Sequence, residues 1–303
     1  MGRLSITPMP LIAALGGAMI ISFSAILFAA ADVAPATGAF FRAAYAVPVL
    51  WAIWWRTRSQ DTRSRRARWL ARASGVMLGA DFITWHLSID HIGAGLATLL
   101  ANSQVVIVAV LAWLIFGEKP SRIVMVAIPL LLVGVALVSG LGRADSYGEN
   151  PVLGTVFGLI AALMYAGYLL ALRRSNKAHA PAAGSLMDAT AGAALTCLVA
   201  GPLVGGLELV PSWPEHGWLL LLALGPQVLG WLAIGYALPR LPAAETSTFI
   251  LLQPVLTMVW GALIFAERPS ALQLAGAVLV LIGVGSVATF SARRRPVEEP
   301  AAV

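Results

Sequence analysis

Three ionisable side chains lie inside long apolar stretches of this sequence, namely Arg42, Asp81 and Asp188. A charged group at membrane depth is costly, so it faces the protein interior and is a candidate functional residue. Arg42 and Asp188 fall at corresponding positions of two proline-led segments. They are predicted to form structural ion pairs that hold helices together, or to take part in substrate or proton coupling. For Asp81, a structural role and a binding role are both open.

Asp81 is followed by an indole and an imidazole, Trp85 and His86. A spacing of four residues places Asp81 and Trp85 on one face of a helix. An imidazole changes its charge near neutral pH, so His86 is a candidate proton relay, although a lone histidine in an apolar helix also serves as a hydrogen-bonding packing residue. Gln227 and Trp231 repeat the four-residue spacing in a later segment. Both pairs are therefore predicted to contribute to a substrate site.

Amide, hydroxyl and aromatic side chains occur inside several other apolar segments. The remaining candidates for substrate binding are Ser22, Ser24, Asn102, Gln104, Tyr165, Gln253 and Trp260. A cavity with such groups suits a zwitterion or a flat ring, because polar groups fix orientation and ring faces supply contact area. A cation held on indole faces is the alternative ligand. Tryptophans near the ends of the segments are instead assigned to the membrane interface, namely Trp51, Trp54, Trp55, Trp69, Trp213 and Trp218.

The composition indicates a membrane protein. Hydrophobic residues make up 59% of the chain and charged residues only 11%, against about 25% charged residues in soluble domains. One cysteine excludes a disulfide framework and a cysteine-based zinc site. No phosphate loop, metal-ligand spacing or nucleophile constellation is present, so no metal, no cofactor and no enzymatic activity are expected. The basic residues lie between the apolar segments, which argues against nucleic acid as a partner.

Ten stretches are apolar and long enough to cross a bilayer as helices, which takes about 20 residues each. They lie near 9–30, 36–55, 69–89, 94–116, 122–142, 152–172, 182–205, 216–238, 243–265 and 271–291. The fold class predicted is therefore an all-α membrane protein with ten transmembrane helices. Pro226 and Pro254 interrupt two of these segments beside Gln227 and Gln253, and helix breaks at membrane depth are typical of binding sites.

The arginine and lysine distribution predicts the orientation. Seven arginines lie between Arg56 and Arg72, whereas the connections assigned to the other side hold only Arg143 and Arg268. Because basic residues favour the cytoplasmic side, both termini are predicted to be cytoplasmic, in the cell inner membrane. The first apolar stretch is longer than the core of a signal peptide, so it is predicted to be retained as a helix.

An internal repeat relates the two halves. The stretch QVVIVAVLAWLIFGEKPS begins at Gln104, and QPVLTMVWGALIFAERPS begins at Gln253, an offset of 149 residues. Each unit carries five predicted spans, an odd number, so the second copy enters from the opposite face. The domains predicted are two inverted five-helix repeats, 1–145 and 146–292, followed by a cytoplasmic tail at 293–303. Glu118 and Glu267 are equivalent in the repeat, and capping or interfacial pairing is expected of them.

The sequence resembles the EamA-type, ten-helix branch of the drug/metabolite transporter superfamily from about Leu11 to Phe290. The segments FGEKPS and FAERPS, the FFR at Phe40–Arg42 and the pair Gln253–Pro254 carry the resemblance. It implies a secondary transporter that exports amino acids, aromatic or other neutral ones, by alternating access. The expected partners are a small-molecule substrate and the lipid bilayer, with protons as a candidate coupling ion. The alternatives are an exporter of cationic drugs or quaternary ammonium compounds, and a membrane scaffold or lipid-modifying protein without transport activity.

Overall fold

A computed structural model describes residues 8–117, 119–138, 146–175, 182–210, 212–237 and 243–294. Throughout these ranges the regular elements are helices, and no strand occurs among them. Glu118 and all but the first two residues of the predicted tail lie outside the described residues. The helices of the first half are α1 Pro8–Ser22, α2 Ser24–Ala31, α3 Pro35–Thr57, α4 Arg65–Ala101, α5 Gln104–Phe116 and α6 Arg122–Val138.

The second half contains a further six helices and one π-helical segment. These are α7 Pro151–Ser175, α8 Ala182–Val204, α9 Glu215–Leu222, the π segment Ala223–Gly230, α10 Trp231–Ala237, α11 Ala243–Ile264 and α12 Ala271–Arg294. Five stretches are long and apolar enough to cross a membrane by themselves, namely Met9–Ala31, Pro35–Gln60, Pro151–Ala171, Ala182–Val204 and Glu215–Ala237. The three shorter apolar helices are Arg122–Val138, Leu252–Ile264 and Ala271–Val287.

The predicted third and fourth spans correspond to two helical segments of α4 that meet at Gly93. Gly93 interrupts α4 with φ +80°, a conformation that favours glycine, and it falls at the predicted boundary between the two spans. A second break at Asn102–Ser103 separates α4 from α5, which is bent away by 48°. The sequence did not predict this second break. If the bent pair counts as one span, the described helices provide up to six spans by length and composition.

The two segments of α4 together pack along α7 and α8, while α3 packs along α8 and α6 along α12. Small residues allow these close contacts. A Cβ atom on Gly134 of α6, for example, would lie 2.9 Å from the carbonyl oxygen of Gly276 on α12. Close helix approach through glycine is typical of membrane proteins, because dispersion contacts replace the hydrophobic effect there.

The connections between helices gather at two opposite ends of the bundle. We call one the arginine end; it consists of the turn 57–64 and the first residues of α4 and α8. We call the other the glutamate end; it consists of 32–34, 91–95, 146–150, 205–210 and 265–270. Contacts across the glutamate end include the Asn150 amide on the His91 carbonyl at 3.4 Å and the Thr37 hydroxyl on the Gly206 carbonyl at 2.8 Å. The neighbouring helices α3 and α8 therefore run in opposite directions between these ends.

Candidate functional site

A cavity of about 240 Å³ lies in the middle of the bundle. Both halves of the chain form its walls, since α1 to α5 contribute on one side and α7, α10 and α11 on the other. The lining residues are Ile21, Ser24, Ala25, Arg42, Asp81, Trp85, Thr98, Ala101, Asn102, Gln104, Tyr165, Leu169, Trp231, Ile234, Gln253 and Thr257. Its polar groups come from positions that are distant in the sequence, so only the fold brings them together.

Most of the candidates chosen from the sequence lie on this cavity. Eight of the twelve predicted substrate residues line it, namely Ser24, Asp81, Trp85, Asn102, Gln104, Tyr165, Trp231 and Gln253. The other four, Ser22, His86, Gln227 and Trp260, lie behind the wall. Thr98 and Thr257 line the cavity but were missed. Thr257 follows Gln253 by four residues on the same helix, which is the spacing that had identified the other pairs.

The cavity contains one cationic and one anionic side chain, Arg42 on α3 and Asp81 on α4. Both are buried, with 5% and 7% of their surface exposed. Within the described ranges no carboxylate oxygen lies within 4.0 Å of the Arg42 guanidinium. The two charges therefore face one space without neutralising each other through a direct ion pair.

Arg42 is held by an amide and by aromatic rings. Its Nε donates to Oε1 of Gln227 at 3.1 Å, and its guanidinium carbon lies 4.1 Å from the centroid of the Phe82 ring and 5.2 Å from that of Trp85. Gln227 is fixed in turn, because its Nε2 donates to the Thr190 hydroxyl at 3.3 Å. Gln227 is thus a positioning residue for the cavity arginine, and it is almost fully buried.

A local departure from α-helical geometry positions Gln227 and Trp231. Pro226 has no N–H to donate, and the surrounding segment Ala223–Gly230 takes up π-helical hydrogen bonding. Insertions of this kind shift the side chains that follow around the helix and are frequent at functional sites. Here Gln227 reaches Arg42, while Trp231 reaches the cavity and lies 6.2 Å from the Tyr165 ring centroid.

The break between α4 and α5 supplies the amide groups of the cavity. The Asn102 side chain donates from Nδ2 to the Thr98 carbonyl at 2.8 Å and so closes the last turn of α4. Gln104 begins α5 on the other side of the break. Both amides line the cavity. Irregular backbone at membrane depth is tolerated where it lines a cavity, and such breaks are typical of transporter binding sites.

Three of the candidates behind the wall hold helices together. The Trp260 indole donates to the Ser22 hydroxyl at 3.1 Å, and its ring stacks on Phe23 with centroids 5.0 Å apart. This contact joins the junction of α1 and α2 to α11. His86 is fully buried, stacks on Phe28 at 3.9 Å and has Nδ1 3.3 Å from the Pro35 carbonyl. These contacts are those of a packing residue, and the relay role of His86 stays a prediction.

Arg42 and Asp188 do not form an ion pair with each other. Asp188 contacts two other arginines at the arginine end, with Oδ1 2.8 Å from Nε of Arg72 and Oδ2 3.1 Å from Nη2 of Arg63. The reason is that α3 and α8 are antiparallel. Arg42 lies two turns from the glutamate end of α3, whereas Asp188 lies two turns from the arginine end of α8. Corresponding positions in the repeat are thus at different depths.

No group of three or more histidine, cysteine, aspartate or glutamate side chains is placed to hold a metal ion in the part of the chain that the structure describes. Cys197 is buried, and its thiol lies 3.7 Å from the Gly79 carbonyl. The site is therefore a cavity lined by polar and aromatic side chains, with Arg42 and Asp81 as its charged groups.

Two stretches of the chain, 8–140 and 152–289, each match the EamA-like transporter family. The chain belongs to the EamA-like transporter family. The drug/metabolite transporter resemblance is thereby confirmed, and with it the assignment of a membrane transporter built from two copies of one family unit. As an EamA-like transporter, the protein is placed among carriers of small molecules and not among enzymes.

Characterised relatives of this EamA-like transporter are exporters. It is 26% identical over 244 residues to the pseudopaline exporter CntI of Pseudomonas aeruginosa, covering 80% of this chain and 82% of the relative. It is 28% identical over 219 residues to the threonine/homoserine exporter RhtA of Escherichia coli K12, covering 71% and 70%. A solved crystal structure aligns with 97% of this chain and 99% of its own at TM-score 0.60 and 20% identity, which shows a shared fold.

Proposed function

We propose that this EamA-like transporter exports zwitterionic amino acids, aromatic or other neutral ones, through the central cavity. The observation that carries the proposal is the placement of Arg42 and Asp81 on one cavity without an ion pair between them. The guanidinium matches a carboxylate, since it offers several N–H donors in a planar fork. Asp81 matches an ammonium group. A free amino acid carries both charges on one carbon atom and so supplies a partner for each side chain.

The walls and the size of the cavity support the same ligand class. Trp85, Tyr165 and Trp231 provide ring faces for an aromatic or apolar side chain. A volume of about 240 Å³ lies just below the range of about 300–1,000 Å³ that is typical of drug-sized ligands, which favours a single amino acid. The names of relatives agree with this, because threonine and homoserine are amino acids.

The proposed topology has ten spans in two inverted five-helix repeats, at 1–145 and 146–292, with both termini on the cytoplasmic side of the inner membrane. Three observations support it: the offset repeat, the gathering of basic residues at the arginine end, and a cavity whose walls come from both halves. Inverted repeats can exchange conformations, which gives alternating access a physical basis. Protons are the proposed coupling ion, with Asp81 as the group that would bind them.

The test is counterflow into proteoliposomes that contain the purified full chain. The vesicles are preloaded with an unlabelled amino acid and receive labelled phenylalanine, tryptophan, threonine or leucine outside. We expect label to accumulate. Arg42→Gln and Asp81→Asn should each lower the initial rate at least tenfold, because each removes one charged partner of the zwitterion. The matched control is Arg122→Gln, an exposed arginine outside the cavity, which should transport at the wild-type rate.

The cationic-drug alternative makes a different prediction with the same vesicles. Asp81 together with the indoles of Trp85 and Trp231 would hold a quaternary ammonium group without needing Arg42. Exchange of such a compound that survives Arg42→Gln and is lost in Asp81→Asn would establish this alternative. If neither the amino acids nor the quaternary ammonium compounds exchange, in vesicles shown to contain folded protein, transport of both ligand classes would be contradicted.

A further inference from the structure

The positive charge of the protein is concentrated in one short segment. Residues 56–72 contain seven of the twenty basic residues and one acidic residue, Asp61, so the segment has a net charge of +6. The whole chain also has a net charge of +6, so the remaining residues sum to zero. The connection between α5 and α6, by comparison, has only Lys119 and Arg122. The excess is more than an orientation signal needs.

Three of the seven arginines are paired with carboxylates. Arg63 contacts Asp61 at 2.9 Å and Asp188 at 3.1 Å, Arg68 contacts Asp61 at 3.5 Å, and Arg72 contacts Asp188 at 2.8 Å. The Trp54 indole also donates to Asp61 at 2.8 Å. These contacts fix the turn between α3 and α4 in one conformation. The backbone that carries the remaining arginines is therefore held in place before any ligand arrives.

The other four arginines, Arg56, Arg58, Arg65 and Arg66, are exposed. No carboxylate oxygen lies within 4.0 Å of any of them in the described ranges. The Arg58 guanidinium carbon lies 3.6 Å from the centroid of the Trp55 ring, so its planar face is covered, and its N–H groups have no hydrogen-bond acceptor among the residues that the structure describes. Exposed guanidinium groups without a carboxylate partner match phosphate oxygens, to which they can donate two parallel hydrogen bonds.

Exposed indoles lie beside these arginines. Trp51, Trp55 and Trp69 are 48%, 47% and 58% exposed, and the Trp51 and Trp55 ring centroids are 5.3 Å apart. Exposed indoles in such numbers are typical of the membrane interface, where they lie at the depth of the lipid headgroups. A site for a free anion in water would not need them. The neighbouring rings thus indicate that the phosphate belongs to a lipid.

We propose that the arginine end binds the headgroup phosphate of an anionic phospholipid, with Arg56, Arg58, Arg65 and Arg66 as its ligands and Trp51, Trp55 and Trp69 against its glycerol and upper acyl region. The proposal goes beyond the transport function and does not depend on which substrate is carried. The lipid would bridge the end of α3 and the beginning of α4. These are the two helices that carry Arg42 and Asp81, so the bound lipid stabilises the frame of the cavity.

The test measures thermal unfolding of the delipidated full chain in a neutral detergent. Phosphatidylglycerol, phosphatidylcholine or inorganic phosphate is titrated in, and native mass spectrometry counts the lipids that remain bound. We expect phosphatidylglycerol to raise the unfolding midpoint saturably and phosphatidylcholine to leave it nearly unchanged. The variant R56Q/R58Q/R65Q/R66Q should need at least tenfold more phosphatidylglycerol for half of the shift. Arg122→Gln, which removes an exposed arginine elsewhere, should behave as wild type.

Three outcomes would overturn the proposal. Equal shifts with both phospholipids would show that the arginines do not select charge, and a wild-type response of the quadruple variant would show that they do not bind the lipid. Inorganic phosphate that reproduces the full shift would identify a free-anion site. If the quadruple variant does not fold, the double variant R65Q/R66Q is used in the same comparison. It should need at least threefold more phosphatidylglycerol than the wild type for half of the shift.

Discussion

The two ends of the bundle are held together by different kinds of contact. At the arginine end, side chains pair with side chains, with Arg63 and Arg72 contacting Asp188. At the glutamate end, side chains bond to backbone, as the Thr37 hydroxyl does to the Gly206 carbonyl and the Gln273 side chain to the Tyr147 amide. The Glu267 carboxylate accepts hydrogen bonds from the Ala94 amide at 2.6 Å and the Gly95 amide at 3.2 Å, immediately after the break at Gly93.

The difference in contacts predicts that breaking one contact costs more free energy at the arginine end than at the glutamate end. Separating the arginine end would leave buried charges without partners, and breaking a buried ion pair costs about 3–5 kcal/mol. At the glutamate end the Glu267 carboxylate is held by the first N–H groups of a helix, and losing one contact of that kind costs about 0.5–2 kcal/mol. We therefore expect the loss of one such contact to weaken the glutamate end less than the loss of a buried ion pair weakens the arginine end.

The largest effect is expected from Asp188→Asn. The substitution leaves Arg63, whose side chain is 3% exposed, with Asp61 alone, and it leaves Arg72 without its carboxylate. We expect a loss of about 3 kcal/mol from the Arg63 contact, with little added by Arg72, because that side chain is 44% exposed and solvent screens its charge. The measurement is the unfolding midpoint of the purified protein, compared with the wild type.

Arg72→Gln is the matched control for this prediction, since it removes the exposed partner of the same carboxylate and should cost much less. If Asp188→Asn were no more destabilising than Arg72→Gln, the buried ion pair would not be what holds the arginine end, and the comparison between the two ends would fail.

A smaller effect is expected from Gly93→Ala at the glutamate end. At φ +80° an alanine is strained, and its Cβ would lie 2.7 Å from the Glu267 carboxylate oxygen. A residue in such a conformation costs about 1–3 kcal/mol. We expect faster hydrogen exchange of the Ala94 and Gly95 amides, with the arginine end unaffected. Gly16→Ala is the control, because a Cβ there meets nothing within 4 Å. Unchanged exchange in Gly93→Ala would contradict the role given to the Glu267 contact.

The sequence predicted the cavity better than it predicted the two ends. A polar or charged residue in the middle of an apolar helix can only face the interior, so Asp81, Trp231 and Gln253 were identifiable without knowledge of the fold. The same logic identified Asp188 but not its partners Arg63 and Arg72, because those arginines were used only as a signal of orientation. Contacts between residues more than a hundred positions apart depend on helix packing, which the spacing of one helix does not reveal.

The irregular helix segments show the same limit of prediction from the sequence. The proline at 226 indicated a disturbance, but not that it would be absorbed as a π-helical segment that turns Gln227 towards Arg42. Asn102–Ser103 gave no signal of a break. Glu267 was expected to cap a helix or to pair at the interface. It does cap a helical segment, namely the one that begins after Gly93 in the other half of the chain. The internal repeat did not predict that contact.

The smallest effect is a difference in pH dependence between the two ends. Burial raises the pKa of Glu267 above its ordinary value of 4.5, and the two backbone hydrogen bonds only partly offset this. Burial also acts on Asp61, but hydrogen bonds from Arg63 and Trp54 outweigh it and hold the pKa of that carboxyl well below its ordinary value of 3.8. The stability contributed by Asp61 is therefore fully present above about pH 3.8 and is lost only as the pH falls further.

The stability contributed by Glu267 changes with pH in the opposite direction. Because its pKa is raised in the folded state, its contribution is largest below about pH 4.5 and declines as the pH rises through the folded-state pKa. Between pH 4.5 and 8, only the glutamate end should therefore weaken.

Glu267→Gln removes the titration and keeps an acceptor oxygen for the backbone. We expect the unfolding midpoint of the wild type minus that of Glu267→Gln to fall by about 1–3 °C across this range. A difference that rises with pH would mean that the charged carboxylate is the better ligand for the two amides, and the glutamate end would then share the pH response of the arginine end.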